Sequence, residues 1–390
     1  MGTLLENLET FCKIPGTSGD EAAVREAIYQ EIKDLPGCTV RTDNAGNLIA
    51  EKAGKEPPKS KVLFCAHMDE VGFIVTRIDE QGFLHFGCVG GIDSRVVIGK
   101  RVLVGKDQIP GLIGAKALHL LTKEQRGEPA EIKDLFIDIG ADGKEATEAL
   151  VRPGDRAVWD TDFCLIGGGN AVCSRAIDDR AGCALLVELL KGDAPYGFTA
   201  AFTTREEVDG NGAPAAGFSA EPDISVVVEA TSAGDGVNAA EADYVCAQGK
   251  GPVISFIDKG TVYDPALYEA VTALAQENGI PFQPKEGIAG ANDSRPIHKS
   301  RAGVRPAAVS LPARYIIRRS RPCGSRTLRT LSACLPSCAG SCRSYDPAAG
   351  KSLRPGQARG KGTCSGGDGG LLRRGVFGGP GAPALLRRIR

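Results

Sequence analysis

Val62-Leu63-Phe64-Cys65-Ala66-His67-Met68-Asp69-Glu70 is the stretch on which the reading of this 390-residue chain turns. Val62 to Met68 is a continuous apolar run, as expected of a strand buried on both faces; such strands lie in sheets covered by helices. The stretch then closes on carboxylates beside a histidine. In open α/β sheets, sites form at the carboxyl ends of strands, so these nine residues indicate both a fold class and a place for chemistry.

Outward from this strand the same rhythm holds on both sides. Upstream, Ser18-Gly19-Asp20-Glu21 reads as a capping box, and Val24, Ile28 and Ile32 recur at helical spacing, so an amphipathic helix is predicted over 20–34. From Gly72 to about Asp160, short β-rich runs alternate with turn signals (Glu80-Gln81-Gly82, Gly90-Gly91, Gly105-Lys106-Asp107, Pro153-Gly154-Asp155), which predicts a small, mostly β insert. After Ala176 the α/β pattern resumes. A helix is predicted over 180–191 with Leu185, Leu186, Leu189 and Leu190 on its apolar side; buried strands over 198–204 and 224–231; a helix over 264–278; and a last strand containing Val309 to Leu311. The expected fold class is α/β, a sheet flanked by helices. The expected division is a discontinuous main domain (1–69 and 162–316), an inserted β-rich domain (70–161) and a tail (317–390) that belongs to neither.

Composition excludes several classes. The apolar fraction of 42% and charged fraction of 24% are those of a globular protein. No apolar run is long enough to span a bilayer, and the N-terminal residues lack the basic-then-apolar order of an export signal, so a cytoplasmic protein without membrane association is expected. The net charge of −1 hides a split. In 317–390 thirteen Arg and two Lys face only Asp346 and Asp368, a charge of +13, which leaves −14 on the rest. Eight of the thirteen cysteines lie before this tail, at 12, 38, 65, 88, 164, 173, 183 and 246, with no C-x-x-C pair; they read as small buried apolar residues. The other five lack the spacing and the histidines of a zinc site.

Four segments sit at or just after predicted strand ends: Ala66 to Glu70, Ala176-Ile177-Asp178-Asp179-Arg180, Arg205-Glu206-Glu207 and Val228-Glu229-Ala230. Each has an ordinary explanation alone. A lone histidine at a strand end is usually structural, Asp-Asp-Arg can cap a helix, and Glu-Glu is usually a solvated loop. Glu229, closing an apolar strand, is harder to dismiss, because a buried carboxylate is costly unless paired or metal-bound. Together they suggest a mixed N/O site for divalent metal. Two metals ~3.5–4 Å apart need a bridging carboxylate, and hydrolysis needs a further carboxylate to take a proton from water. Neighbouring strand residues point to opposite faces, so Glu206 and Glu207 can share this work only if the backbone turns sharply there.

The order and wording of these segments resemble the tetrahedral aminopeptidases, a family of two-metal peptidases that includes glutamyl aminopeptidases and members named endoglucanase. The resembling stretches are 65–73 (CAHMDEVGF), 89–99 (VGGIDSRVVIG), 113–119 (IGAKALH), 134–140 (DLFIDIG), 176–182 (AIDDRAG), 204–208 (TREEV), 228–235 (VEATSAGD) and 310–316 (SLPARYI), reaching over about four-fifths of the chain. The resemblance implies that His67, Asp178 and Glu229 hold one metal, that Asp178 bridges to a second held also by Glu207, and that Glu206 is the general base. Asp69 would orient His67, with Asp179 and Asp293 in supporting or substrate-contacting roles and the Asp178–Asp179 peptide cis. Zinc or cobalt would suit the donors. The insert would be a dimerisation domain, the assembly a dodecamer, and the substrates peptides; no nucleic-acid partner is expected, since the basic tail is read as an out-of-frame translation and not as a binding arm.

Two departures from the family pattern matter. Gly-Gly-Thr-Asp-Ala-Gly is replaced by Gly290-Ala291-Asn292-Asp293-Ser294-Arg295, which keeps Asp293 but changes its neighbours. Arg-Tyr-Ile-His-Ser-Pro, whose His is the remaining ligand of the second metal, is replaced by Arg314-Tyr315-Ile316-Ile317-Arg318-Arg319. Removing one C from ATC-CAT-TCG-CCG (Ile-His-Ser-Pro) yields Ile-Ile-Arg-Arg, so the basic tail reads as an out-of-frame, unstructured translation, and the second metal site as weakened. The leading functional expectation is a metal-dependent aminopeptidase using a water activated by two metals. The alternatives are a carboxypeptidase or deacylase with similar ligands, a glucanase using paired carboxylates, and a catalytically impaired assembly protein.

Overall fold

The computed structural model describes residues 2–237, 239–240 and 244–316 and, as backbone, 321–324. The chain runs through α1 (Leu4–Lys13), α2 (Ala22–Ile32), β1 (Cys38–Thr42), β2 (Leu48–Lys52) and β3 (Val62–His67). There follow β4 (Gly72–Ile78), β5 (Leu84–Val89), β6 (Arg101–Val104), β7 (Ile109–Ala115), β8 (Leu135–Asp138), α3 (Lys144–Glu148) and β9 (Arg156–Trp159). Then come β10 (Cys164–Ile166), β11 (Ala171–Ser174), α4 (Ile177–Lys191), β12 (Phe198–Thr203), α5 (Ala213–Ala220) and β13 (Ile224–Ser232). The last elements are β14 (Val253–Ile254), α6 (Pro265–Glu277), β15 (Gln283–Pro284), α7 (Ser294–Ile297), β16 (Arg305–Ala313) and β17 (Arg321–Gly324).

The α/β class is as expected. The main sheet runs β1-β2-β12-β3-β13-β16-β17-β11-β10, with β14 and β15 joined beside β16. Its centre is parallel: β12 and β13 both pair parallel with β3, and β16 parallel with β13. All six residues of β3 are buried, because side chains of alternate residues feed two cores. Val62, Phe64 and Ala66 pack with α1, α2, α4 and α6 on one face, while Leu63 and Cys65 pack with residues of α5 and α7 on the other. A strand covered on both faces therefore has no polar positions except at its exit, where His67 stands.

Strands β4 to β9 close into a six-stranded barrel, β4-β5-β8-β7-β6-β9, with its own core. Phe73 is central to it, meeting Phe86 and Trp159 edge-on at ring-centroid distances of 5.0 Å each. No helix of the described residues is long and apolar enough to cross a membrane.

Three expectations need correction. Helix α2 begins at Ala22, and no side chain caps it. The Ser18 hydroxyl instead donates to Asp69 Oδ2 at 2.6 Å, so the apparent capping box is spent elsewhere. The cysteines are not uniformly buried: Cys164 is exposed and Cys38, Cys88 and Cys173 are half-buried. Finally, part of the basic tail joins the fold. Residues 321–324 form β17, antiparallel to β11 with Val172 opposite Cys323, and meeting β16 at Ala313. Ladder bonds use backbone N–H and C=O groups, so a segment with no apolar period can still fill a place between two strands. Residues 317–320 and 325–390, the rest of the expected unstructured tail, lie outside the described residues.

Candidate active site

The parallel strands set the site. His67 ends β3, Glu206 and Glu207 follow β12, and Glu229 lies in β13, so all four reach the carboxyl-end edge of one parallel group. Asp178 arrives from the other direction, at the start of α4. There the backbone leaves helical angles at Asp178 and Asp179, and the peptide between them is cis. The sharp turn required of the Glu-Glu pair is present. Residues Glu206–Val208 form a single 3-10 turn bracketed by Arg205 at φ 58° and Asp209 at φ 70°, both left-handed. Such angles are uncommon for residues with a Cβ, and here they lift both glutamates out of strand alternation.

His67, Asp178 and Glu207 each offer a donor atom, and these atoms lie within 4.8 Å of one another. His67 Nε2 is 3.1 Å from Asp178 Oδ1 and 3.8 Å from Glu206 Oε2. Glu229 lies outside that group of three; it is buried, and its Oε2 has no hydrogen-bond partner. Asp69 is fully buried. Its Oδ1 lies 3.3 Å from His67 Nδ1 and accepts the Glu206 amide at 3.0 Å, while its Oδ2 accepts the Ser18 hydroxyl and, at 3.1 Å, the Glu207 amide. The Asp69 carbonyl oxygen lies 3.1 Å from the same Nδ1. With a proton on Nδ1 held there, a cation could take the place of the Nε2 proton that faces Asp178, and the ring would then have the tautomer suited to a metal ligand.

Asp179 and Asp293 do not point into this cluster of donors. Asp179 is fully buried and accepts the amides of His67 at 3.3 Å and Gly182 at 2.9 Å, tying β3 to α4. Asp293 is buried beneath β3 and β12; its Oδ2 accepts the Thr203 hydroxyl at 2.5 Å and lies 3.5 Å from Cys65 Sγ. Its Oδ1 has no hydrogen-bond partner. The remaining histidines stay apart from the cluster: His85 pairs with Asp79 in the barrel, His119 is exposed, and His298 Nδ1 lies 2.8 Å from the Ser294 carbonyl oxygen.

So many acids in one place perturb each other. Burial raises the Glu206 carboxyl well above the ordinary range, and repulsion from Asp293, Glu207 and Asp178 adds to it against the pull of His67. Glu229 is raised well above it too, by burial and then by Glu206 and Asp178. Asp179 is raised chiefly by burial. For His67 burial favours the neutral ring, but hydrogen bonds to Asp178 and Asp69 and the charge of Glu206 outweigh it, so its pKa is raised well above the ordinary value. Asp69 is lowered despite burial, held by His67, Ser18 and the Glu206 amide. A pocket of buried carboxylates holds more negative charge than one imidazolium can neutralise, and a carboxylate oxygen without a donor is costly. Divalent cation is what such a donor set fits.

Several supporting residues carry no chemical signal in the sequence. Gly90, at φ 80° beyond the end of β5, abuts the glutamate turn; a Cβ there would meet Val71 Cγ1 at 2.6 Å and Glu207 at 3.3 Å. Gly182 lets α4 approach β13, since a Cβ would meet the Val228 carbonyl oxygen at 2.6 Å. Arg175 and Arg180 are buried against Glu70, and they donate to the carbonyls of Lys13 and Phe11 at 2.7 and 2.6 Å, anchoring both ends of the Asp178 turn to α1. Gly90, Arg180 and Gly182 stand within the quoted motifs, which is the one hint the sequence carries; Arg175 lies just outside them.

A sequence model of M42 glutamyl aminopeptidase matches residues 46–320. The chain belongs to the M42 glutamyl aminopeptidase family. It is thus a hydrolase of peptide bonds from a family of metal-dependent peptidases. A protein of Acetivibrio thermocellus named as an aminopeptidase is 37% identical over 317 residues, 80% of this chain and 91% of that one. Among solved M42-like structures, a TET aminopeptidase from a marine sediment archaeon of the Thaumarchaeota superposes with a TM-score of 0.82 at 29% identity, covering 86% of this chain and 95% of that one. The TET1 peptidase of Pyrococcus horikoshii, which can assemble into a tetrahedron or a large octahedral shell, superposes with a TM-score of 0.76 at 33% identity, covering 86% and 99%.

Proposed function

We propose that this member of the M42 family is a metal-dependent aminopeptidase that releases the N-terminal residue of peptides and uses two divalent ions, zinc or cobalt by donor chemistry. The observation that carries this reading is the convergence of His67, Asp178 and Glu207 within 4.8 Å among buried carboxylates. His67, Asp178 and Glu229 would hold one ion, and Asp178 and Glu207 the other. When bound, such ions polarise a carbonyl and lower the pKa of water. Glu206, whose Oε2 lies 3.8 Å from His67 Nε2, takes the proton of the attacking water and returns it to the departing amine. Asp69 holds the turn by both amides and keeps His67 in its tautomer. The acidic surroundings favour a substrate with a free, positively charged N-terminus. The second ion is held weakly, because Ile317 stands where the family pattern has histidine.

We further propose that residues 70–161 act as a dimerisation domain, that the chain self-assembles as its TET relatives do, toward a dodecamer, and that it works in the cytoplasm on peptides alone. The test compares free and N-acetylated peptides, before and after chelation with EDTA and readdition of zinc or cobalt. Cleavage confined to free N-termini, lost on chelation and restored by metal, is expected. Equal cleavage of N-acetylated peptides would favour a carboxypeptidase or deacylase. Glucan cleavage that survives chelation would overturn the metal reading. Ile317→His should raise both metal occupancy and activity.

A further inference from the structure

The hairpin that leads into the Asp178 turn carries a pair of facing cysteines. β10 and β11 are antiparallel with Cys164 directly opposite Cys173, Leu165 opposite Val172 and Ile166 opposite Ala171. Directly opposed residues of an antiparallel ladder share a face, with Cα atoms about 4.5 or 5.5 Å apart. Both values fall within the Cα range of about 4.4–6.8 Å that a disulfide spans. The shared face is the accessible one: Cys164 is exposed and Cys173 half-buried, whereas Val172 and Ser174 on the other face of β11 are buried. Beyond β10 no further strand pairs among the described residues, so an oxidant reaches Cys164 from the sheet edge. Both residues are thiols in this structure. The other cysteines before the tail are buried or lie elsewhere, so this hairpin is where two thiols meet in register.

We propose that Cys164 and Cys173 form a redox-responsive pair, joined as a cross-strand disulfide by exchange with a small disulfide such as oxidised glutathione. The Cys164 thiolate attacks the small disulfide, releasing one thiolate and forming a mixed disulfide. The Cys173 thiolate then displaces the second. One protein S–S bond forms, the small disulfide is reduced to two thiols, and the two protons lost by the cysteines are taken up by those thiols. In a reducing compartment such a bond is transient and sensing rather than structural. The bond would clamp an exposed hairpin whose second strand, β11, ends at Ser174, four residues before Asp178.

Trypsin cleaves after Arg156 and Arg175, and residues 157–175 contain no other Lys, Arg or Cys, so one peptide reports on this pair alone. Full-length reduced protein is incubated with oxidised glutathione, quenched in acid, alkylated with iodoacetamide, digested and weighed. The expected peptide carries no alkyl group and is about 2 Da lighter than the dithiol, the two hydrogens lost. Cys173→Ser should instead trap glutathione on Cys164, which separates failure of the second step from failure of the first. Slower amide hydrogen exchange over 164–173 in the oxidised protein is expected as well. Alkylation of both cysteines in the wild type, or glutathione persisting on Cys164 with Cys173 alkylated, would overturn the proposal.

Discussion

Asp69→Asn is the substitution that tests the architecture of the site most directly. The Asp69 carboxylate is fully buried; it accepts from the Ser18 hydroxyl at 2.6 Å and from the amides of Glu206 and Glu207 at 3.0 and 3.1 Å, and its Oδ1 also lies 3.3 Å from His67 Nδ1. Asparagine offers one acceptor oxygen. With that oxygen at the Oδ2 position it serves Ser18 and Glu207, and the Glu206 amide faces an NH2 group. With the oxygen at Oδ1 it serves Glu206 and strands Glu207. Either way one buried N–H loses its acceptor, a cost of about 1–3 kcal/mol. The remaining bonds lose their charge assistance, roughly another 1 kcal/mol. Relief of repulsion with the neighbouring acids works the other way, so zinc-loaded protein is the state to compare. A net loss of about 2–3 kcal/mol in urea unfolding is expected, together with zinc binding weakened roughly 10–100-fold, as for other partners of metal-bound histidine. If zinc affinity is unchanged and unfolding stays within about 0.5 kcal/mol of wild type, a figure typical of indifferent surface sites, then Asp69 does not hold the glutamate turn and the reasoning fails.

Other outcomes follow from the same geometry. Glu206→Gln should lower kcat by about 10²–10⁴-fold while metal content by elemental analysis is unchanged; loss of metal with activity would recast Glu206 as a ligand. Phe73→Ala, in the middle of the barrel core, should cost about 3–5 kcal/mol in unfolding of the barrel, and a barrel as stable as wild type would contradict its assigned packing. Asp264 is held below its ordinary pKa first by its hydrogen bond to Arg305, with distances of 2.8 and 2.9 Å. Because the folded value is the lower one, its stabilisation is complete above the ordinary pKa of about 3.9 and fades as pH falls through the folded value. Asp264→Asn should therefore be less stable than wild type at neutral pH by about 1 kcal/mol and converge with it in acid; a difference that persists in acid would assign the loss to the α6 cap instead.

Much of this protein was legible in its residues because the chemistry constrains them tightly. A strand covered on both faces must be apolar throughout, so Val62 to His67 disclosed both the sheet and its reactive exit. A mixed N/O site for divalent metal draws on histidine and carboxylates, so residues 67, 178, 206, 207 and 229 stood out by type and order. The roles proposed for them, Glu206 as base and the others as metal donors, rest on resemblance and not on spacing, because sequence distance says nothing about which side chains converge. The convergence itself depends on strands β3, β12 and β13 pairing in parallel, on left-handed Arg205 and Asp209 turning Glu206 and Glu207 together, and on a glycine of the barrel, Gly90, leaving room beside them. The same local signal also misled. Ser18 has the look of a helix cap, yet its hydroxyl is drawn to Asp69, a stronger, charged acceptor placed there only by folding. Residues 321–324 have no pattern of a strand, yet they complete a ladder, because backbone hydrogen bonds ask for an open neighbour and not for particular side chains. Residue types declared what chemistry this chain could do; only the tertiary structure, by bringing distant segments within hydrogen-bonding reach, decided where and with which supports.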